Sequence, residues 1–269
     1  MVLNFQPRMS YHGHDFAFLL RVDVEHVEAQ KYTGDPRTCR VATCTLLDLL
    51  EELDIRQTFA VVGHTAEVYP DVVREIVQHH CLAGHSMFHQ LPYRGMTLHA
   101  QQLDMRHQRF AIEAATGTTI RGIFCPYKGL ADEDTLRAAI DEGIEYVHSG
   151  LTVTDSKTPR LVGIEGRDRP VMVPGGQMIQ IGDWSDRRRE WPWAEEYFSD
   201  EVAERRWRAA IDTAGEESRI CMLVVHSWML HTNEHELRAL RRTLRYARES
   251  GAWMGDYDSL ADLVFGRAS

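Results

Sequence analysis

Disulfide scaffolding is the first thing this chain lacks. Its five cysteines, Cys39, Cys44, Cys81, Cys125 and Cys221, are odd in number, scattered, and contain no C-x-x-C pair. They are expected to be reduced, mostly buried thiols of a cytoplasmic protein. Long apolar runs are missing too: no stretch reaches the ~18 unbroken residues that a membrane helix needs. The opening "MVLNFQPRMSYHGHDF" has no basic segment followed by an apolar one, so no secretion signal is expected. Positive charge is in deficit, with a formal net charge of −10, which argues against a general nucleic-acid binder. Internal repeats, low-complexity tracts and linkers are absent. The 269 residues are therefore read as a single catalytic domain, 1–269.

What is present is an alternation. The apolar run "FAFLLRV" (16–22) reads as a buried strand, and 38–54 as a helix with apolar residues at helical spacing. "RQTFAVVG" is a second strand. "YPDVVREIVQHH" is a helix with Pro70 in its first turn, where a missing N–H costs nothing. "CLAGH" is strand-like, and the long helix "TLHAQQLDMRHQRFAIEAATG" ends at Gly117. Strand "RGIFCP", helix "DEDTLRAAIDEG" and strand "IEYVHS" follow. Residues 151–196 read as short strands and long loops. A helix over "SDEVAERRWRAAIDTAG", the strand "ICMLVVHS" and a helix over "NEHELRALRRTLRYARES" complete the pattern. Strand–helix alternation implies right-handed βαβ units and a parallel sheet covered on both faces. Polar residues sit at several strand C-termini: Asp23 and Glu25, His85 and His89, His148, His226. In a parallel barrel that end carries the site.

Each group has two readings. His85 and His89 in "AGHSMFHQ" are four apart, a spacing that places both on one face of a helical turn, where they can share a metal ion. The other reading is two polar residues on an exposed turn. In "LLRVDVEH", Asp23 and Glu25 lie on one side of an extended strand, as a ligand and a general base or as ordinary acids where a strand meets solvent. His226, ending "MLVVHS", suits a general acid or a hydrogen-bonded strand-end histidine. The arginines of "DRRRE" (186–190) can grip an anion or be solvated. Trp184, Trp191 and Trp193 suit a platform for a sugar ring or packing under a loop.

Taken in order, "LLRVDVEH", "RQTFAVVG", "YPDVVREIVQHHCLAGHSMFH", "RGIFCPYKG", "TLRAAIDEGIEYVHSG" and "LVVHS" resemble the motifs of the polysaccharide deacetylase family, carbohydrate esterase family 4 or the NodB-homology domain. The resemblance covers residues 16–230. It implies a distorted (β/α) barrel of about seven parallel strands that hydrolyses an amide with one divalent metal ion, zinc by default, with nickel or cobalt fitting the same ligands. It implies Glu25, His85 and His89 as metal ligands, Asp23 as the base and His226 as the acid, with Asp23 and Glu25 interchangeable at this stage. Pro126, Tyr127, Asp183 and Trp184 are the substrate-binding candidates, and His80 a support behind the metal ligands.

Two departures stand out. The usual T-F-D-D is here Arg21-Val22-Asp23-Val24-Glu25, similar to D-V-D and D-V-E variants of the family. The arginine of the third motif is replaced by Phe124, so Arg21 or Arg121 is expected to supply the guanidinium. The implied substrate is an N-acylated sugar, nucleotide- or lipid-linked, in surface-polysaccharide or O-antigen precursor synthesis. The alternatives are an allantoinase-like hydrolase of a small ureide or cyclic amide, and a saccharide-binding member without catalysis.

Overall fold

A computed structural model describes residues 2–3, 10–129, 131–149, 158–180, 200–228 and 234–267. Among these, the strands in chain order are β1 (Val2–Leu3), β2 (Ala17–Val24), β3 (Thr58–Val61), β4 (Cys81–Gly84), β5 (Gly122–Phe124), β6 (Tyr146–His148), β7 (Arg160–Val162), β8 (Val171–Val173), β9 (Gln177–Gln180), β10 (Ile220–His226) and β11 (Trp253–Met254). They pair in the order β1-β7-β8-β6-β5-β4-β3-β2-β10-β9, with β11 added to β2. Every pairing from β9 round to β8 is parallel. Only β1 with β7 and β7 with β8 are antiparallel. This is the layout of a distorted (β/α) barrel whose path is open among the described residues.

Strand β2 shows how the sequence makes this layout. All eight of its residues are buried. Phe18, Leu20, Val22 and Val24 pack outward in the cluster that holds Leu46, Leu49 and Leu50 of the helix Thr38–Glu52. Ala17 and Leu19 face inward with Ala60, Ala83, Phe124 and Met222. Side chains alternate along a strand, so Arg21 and Asp23 share the inward face of Ala17 and Leu19. The sequence pattern ended this strand at Val22. It runs on to Val24, and Asp23 is therefore a buried residue at 2% exposure rather than a strand end turning into solvent.

The inner face is shut at its other end by the helix Tyr257–Val264, which presents Tyr257, Leu260, Ala261 and Val264 to the inner cluster. Asp256 caps it, accepting from Ser259 N–H at 2.8 Å. Strand β11 pairs with the first residues of β2, so this plug lies on the N-terminal side of the sheet and leaves the C-terminal side for a site. The expected helices appear as Pro70–His79, Leu98–Thr116, Glu133–Asp141, Asp200–Glu216 and Glu234–Glu249. Gly117 ends its helix with φ 72°, a left-handed conformation that glycine adopts without steric cost. The five cysteines are free, and all but Cys44 are buried.

Candidate metal centre and acid–base pair

The site is built from strand ends that the parallel register brings level. Asp23 is paired in register with His226 of β10, and Phe124 with His148. Glu25 immediately follows β2, with φ −133° and ψ 99°, and precedes the helix His26–Thr33. It therefore keeps the inward orientation of Arg21 and Asp23, and it is 2% exposed.

His85 follows β4 and is 1% exposed. Its Nδ1 lies 2.8 Å from the carbonyl oxygen of Phe124, and a carbonyl can only accept, so Nδ1 carries the proton. Nε2 faces Glu25 Oε1 at 3.2 Å and Asp23 Oδ2 at 3.6 Å, with Arg21 Nη2 3.4 Å away. His89 Nε2 approaches the same Glu25 oxygen at 3.3 Å. The imidazole rings of His85 and His89 have centroids 4.7 Å apart.

No helical turn makes this pair, contrary to the expectation from the four-residue spacing. Residues 85–89 form an irregular bend in which Ser86 and His89 are left-handed, with φ 60° and 52°. The bend is held locally. His89 N–H donates to Ser86 Oγ at 2.7 Å, Met87 N–H donates to Asp104 at 3.0 Å, and the carbonyls of Ser86 and Met87 accept from Gly63 and His64 at 2.9 and 2.8 Å. Two non-glycine residues in that region cost of order 1–3 kcal/mol each, a cost that persists where function requires the geometry.

Asp23 is gripped from the other side. Arg21 donates Nε–H to Oδ1 at 2.5 Å and Nη2–H to Oδ2 at 2.8 Å, a two-point contact with both groups buried. Arg21 also lies 4.7 Å above the Phe124 ring, so the aromatic at the third-motif arginine's position packs against the guanidinium that holds Asp23. Arg121 is not that partner: it pairs with Glu145 and Asp262, near the C-terminal helix. His226 Nε2 stands 3.8 Å from Asp23 Oδ2 and 3.7 Å from Glu25 Oε2.

Burial alone would raise both carboxyls. For Asp23 the Arg21 guanidinium, with His85 and His226, overrides burial and holds the group below the ordinary carboxylate range. For Glu25 the override comes from His226, His85 and His89. Burial pushes His89 down, but Glu28 and Glu25 outweigh it and its pKa is raised.

Among the described residues, two sets of side chains can converge on a metal ion: Glu25 with His85 and His89, and Asp23 with Glu25 and His226. The first fits better. Both oxygens of Asp23 accept from the Arg21 guanidinium, a fixed positive charge that disfavours a cation beside them, whereas Glu25 Oε1 lies 3.2 Å from His85 Nε2 and 3.3 Å from His89 Nε2, so three donor atoms converge away from Arg21's grip. Two imidazoles and a carboxylate suit zinc and also its neighbours.

The other sequence-derived residues divide. Tyr127 is 41% exposed, stacks on His89 at 4.9 Å and donates its hydroxyl to the His89 carbonyl at 2.8 Å. Pro126 beside it is buried. Asp183 and Trp184 lie outside the described residues, as do the 186–190 run, Trp191 and Trp193. His80 does not support the site. It precedes β4, at the opposite end from His85, and accepts from Gln57 N–H at 3.3 Å.

Glu28, 3.5 Å from His89 Nδ1, was not read from the sequence. The signal for it was Glu25-x-x-Glu28 at the start of a helix, and that helix went unrecognised because "HVEAQKYT" has no apolar stripe.

Residues 34–147 match the family model described as polysaccharide deacetylase. That stretch is similar to the polysaccharide deacetylase family over less than half of the chain. The matched stretch holds His85, His89 and Phe124, while Asp23, Glu25 and His226 reach the site from outside it. Solved structures share the fold over nearly the whole length. A probable polysaccharide deacetylase from Pseudomonas aeruginosa PAO1 superposes with a TM-score of 0.79 at 16% identity, over 97% of this chain and 94% of that one. A Mycobacterium smegmatis protein of similar description gives 0.80 at 19%, over 99% and 96%. PuuE allantoinase gives 0.78 at 16%, over 98% and 96%. No described helix is long and apolar enough to cross a membrane.

Proposed function

We propose that the chain is a metal-dependent amide hydrolase that removes an acyl group from the nitrogen of an amino sugar. The observation that carries this is the Arg21-held Asp23 carboxylate set beside the convergent Glu25, His85 and His89 donors, with His226 facing both acids. Glu25, His85 and His89 would hold one divalent ion. Bound there, the ion supplies Lewis-acid chemistry, activating water and polarising the acyl carbonyl.

The remaining work belongs to side chains. Asp23 Oδ2 takes the proton of the attacking water, and its low pKa keeps it ionised to do so. Arg21 fixes that carboxylate in orientation. His226 Nε2, on the neighbouring strand, gives a proton to the leaving nitrogen, which otherwise departs as an unstable amide anion. His85 and His89 are aimed by their Nδ1 contacts with Phe124 and Glu28. Tyr127, exposed beside His89, is placed to meet the substrate.

The Arg21 contact also weighs against a saccharide binder without catalysis, because it compensates for the missing third-motif arginine. A small ureide or cyclic amide is the second reading, favoured by the end-to-end superposition on an allantoinase. Metal-loaded protein incubated with free, nucleotide-linked and oligomeric N-acetylated amino sugars, and separately with allantoin, decides between them. Acetate release with no ring opening of allantoin is expected. Ring opening alone would replace the first reading with the second, and inactivity toward both with stoichiometric metal bound would overturn each.

A further inference from the structure

Behind the Arg21–Asp23 pair lies His148, at the end of β6 and 2% exposed. Its Nδ1 is 3.1 Å from Arg21 Nη1. A guanidinium has donors only, so Nδ1 must accept, and the ring is neutral with its proton on Nε2. Burial, followed by the Arg21 charge, pushes His148 down to about 3, which keeps it an acceptor at any working pH. The buried Nε2 has no hydrogen-bond partner among the described residues.

That unpaired N–H is informative. The ring packs edge-on to Phe124 at 5.2 Å and against Tyr257 at 5.9 Å, an aromatic surrounding that phenylalanine would fill without a buried Nε2–H of its own to satisfy. Packing therefore does not account for a histidine here, and the Nδ1 contact does. With Nε and Nη2 on Asp23, Nη1 is the guanidinium's remaining nitrogen. Its only partner given among the described residues is His148.

We propose that His148 is a positioning residue: by accepting from Nη1 it fixes the rotation of the Arg21 guanidinium about its long axis, so that the other two nitrogens stay in the plane of the Asp23 carboxylate. The catalytic consequence rests on the proposed amide hydrolysis, but the structural claim does not. Phe124 bounds the guanidinium on one face and His148 at one edge, so Asp23 is aimed through a rigid relay rather than by a single contact.

The test separates the two claims. In protein labelled with 15N-arginine, the Arg21 side-chain signals, assigned by their loss in Arg21→Lys, are expected to show slow guanidinium rotation in the wild type. Fast rotation is expected in His148→Phe, and slow rotation again in His148→Asn, whose amide oxygen can accept. Metal content should be unchanged in His148→Phe, and the unfolding temperature should fall only modestly, because Nη1 loses its acceptor. On an active substrate, kcat should fall ~10- to 100-fold in His148→Phe with KM unchanged, the scale of a misplaced catalytic group. The same change should cost nothing further in an Arg21→Met background. Slow Arg21 rotation in His148→Phe would overturn the positioning role whether or not any substrate is turned over. Absence of wild-type activity would count against the hydrolase reading alone.

Discussion

Glu25 Oε1 and His85 Nε2 lie 3.2 Å apart although sixty positions separate them in the chain. The contact is made by strand ends, β2 on one side and β4 on the other, with β3 between them in parallel register. His85 Nδ1 donates to Phe124, and His89 Nε2 reaches the same Glu25 oxygen at 3.3 Å. Two imidazole nitrogens and a carboxylate oxygen meeting at one point are a donor set for a divalent cation, and they are the reason to expect one.

Purified protein should therefore hold about one divalent ion per chain when reconstituted. His85→Ala and Glu25→Gln should each weaken binding by more than the ~10- to 100-fold that changes behind the ligands cost, and Glu28→Gln should fall within that smaller range. Elemental analysis and competition with a chelator measure this. The ion should also raise the unfolding temperature, since it binds only the folded arrangement, at roughly 2.7 kcal/mol for a concentration 100 times Kd. A metal-free protein of equal stability would sink the metal reading.

The two acids should separate by readout. Asp23→Asn removes the proposed base but no ligand, so activity should fall about 100- to 10,000-fold with the ion retained. Glu25→Gln should lose both. If Asp23→Asn is the variant that loses metal, the assignments of Asp23 and Glu25 exchange.

Arg21→Met should be more damaging than Arg121→Met to activity, and also to stability. It leaves a carboxylate unpaired where both partners are buried, and breaking such a pair costs ~3–5 kcal/mol. Asp23 would then lose the main influence that opposes burial, and its pKa should rise. The acid limb of the pH–rate profile accordingly moves to higher pH. Arg121 touches Glu145 and Asp262 at partly exposed positions, so its loss should leave kcat within about twofold. An unchanged profile in Arg21→Met would remove Arg21 from the mechanism.

Much of this was legible in the chain because it rests on short-range pattern. The parity of β2 follows from alternation alone, which is why Arg21, Asp23 and Glu25 fall on one side. The strand–helix rhythm likewise places Asp23, His85, His148 and His226 at one end of a parallel sheet. What pattern did not give was the bend at 85–89, because its shape depends on contacts from Gly63, His64 and Asp104, far away in sequence. The plug helix did leave a trace. Tyr257, Leu260, Ala261 and Val264 have helical apolar spacing after an Asp256 cap, although only the two-residue strand Trp253–Met254 precedes them.

A last expectation concerns pH and avoids the metal ligands. Burial, then the charges of His79 and Arg56, pushes His80 down to about 4. An unfolded histidine titrates near 6.5. Between those values the unfolded chain binds a proton that the folded chain refuses, so stability rises with pH across that window. His80 therefore contributes fully above about 6.5, and its contribution fades as pH falls toward 4. His148, pushed down to about 3, acts in the same direction. His80→Asn keeps an acceptor for Gln57 N–H but cannot titrate. Its unfolding temperature should match the wild type near pH 7 and decline less steeply between pH 6.5 and 4. Superimposable pH profiles for the two proteins would show that His80 is not held neutral by the fold.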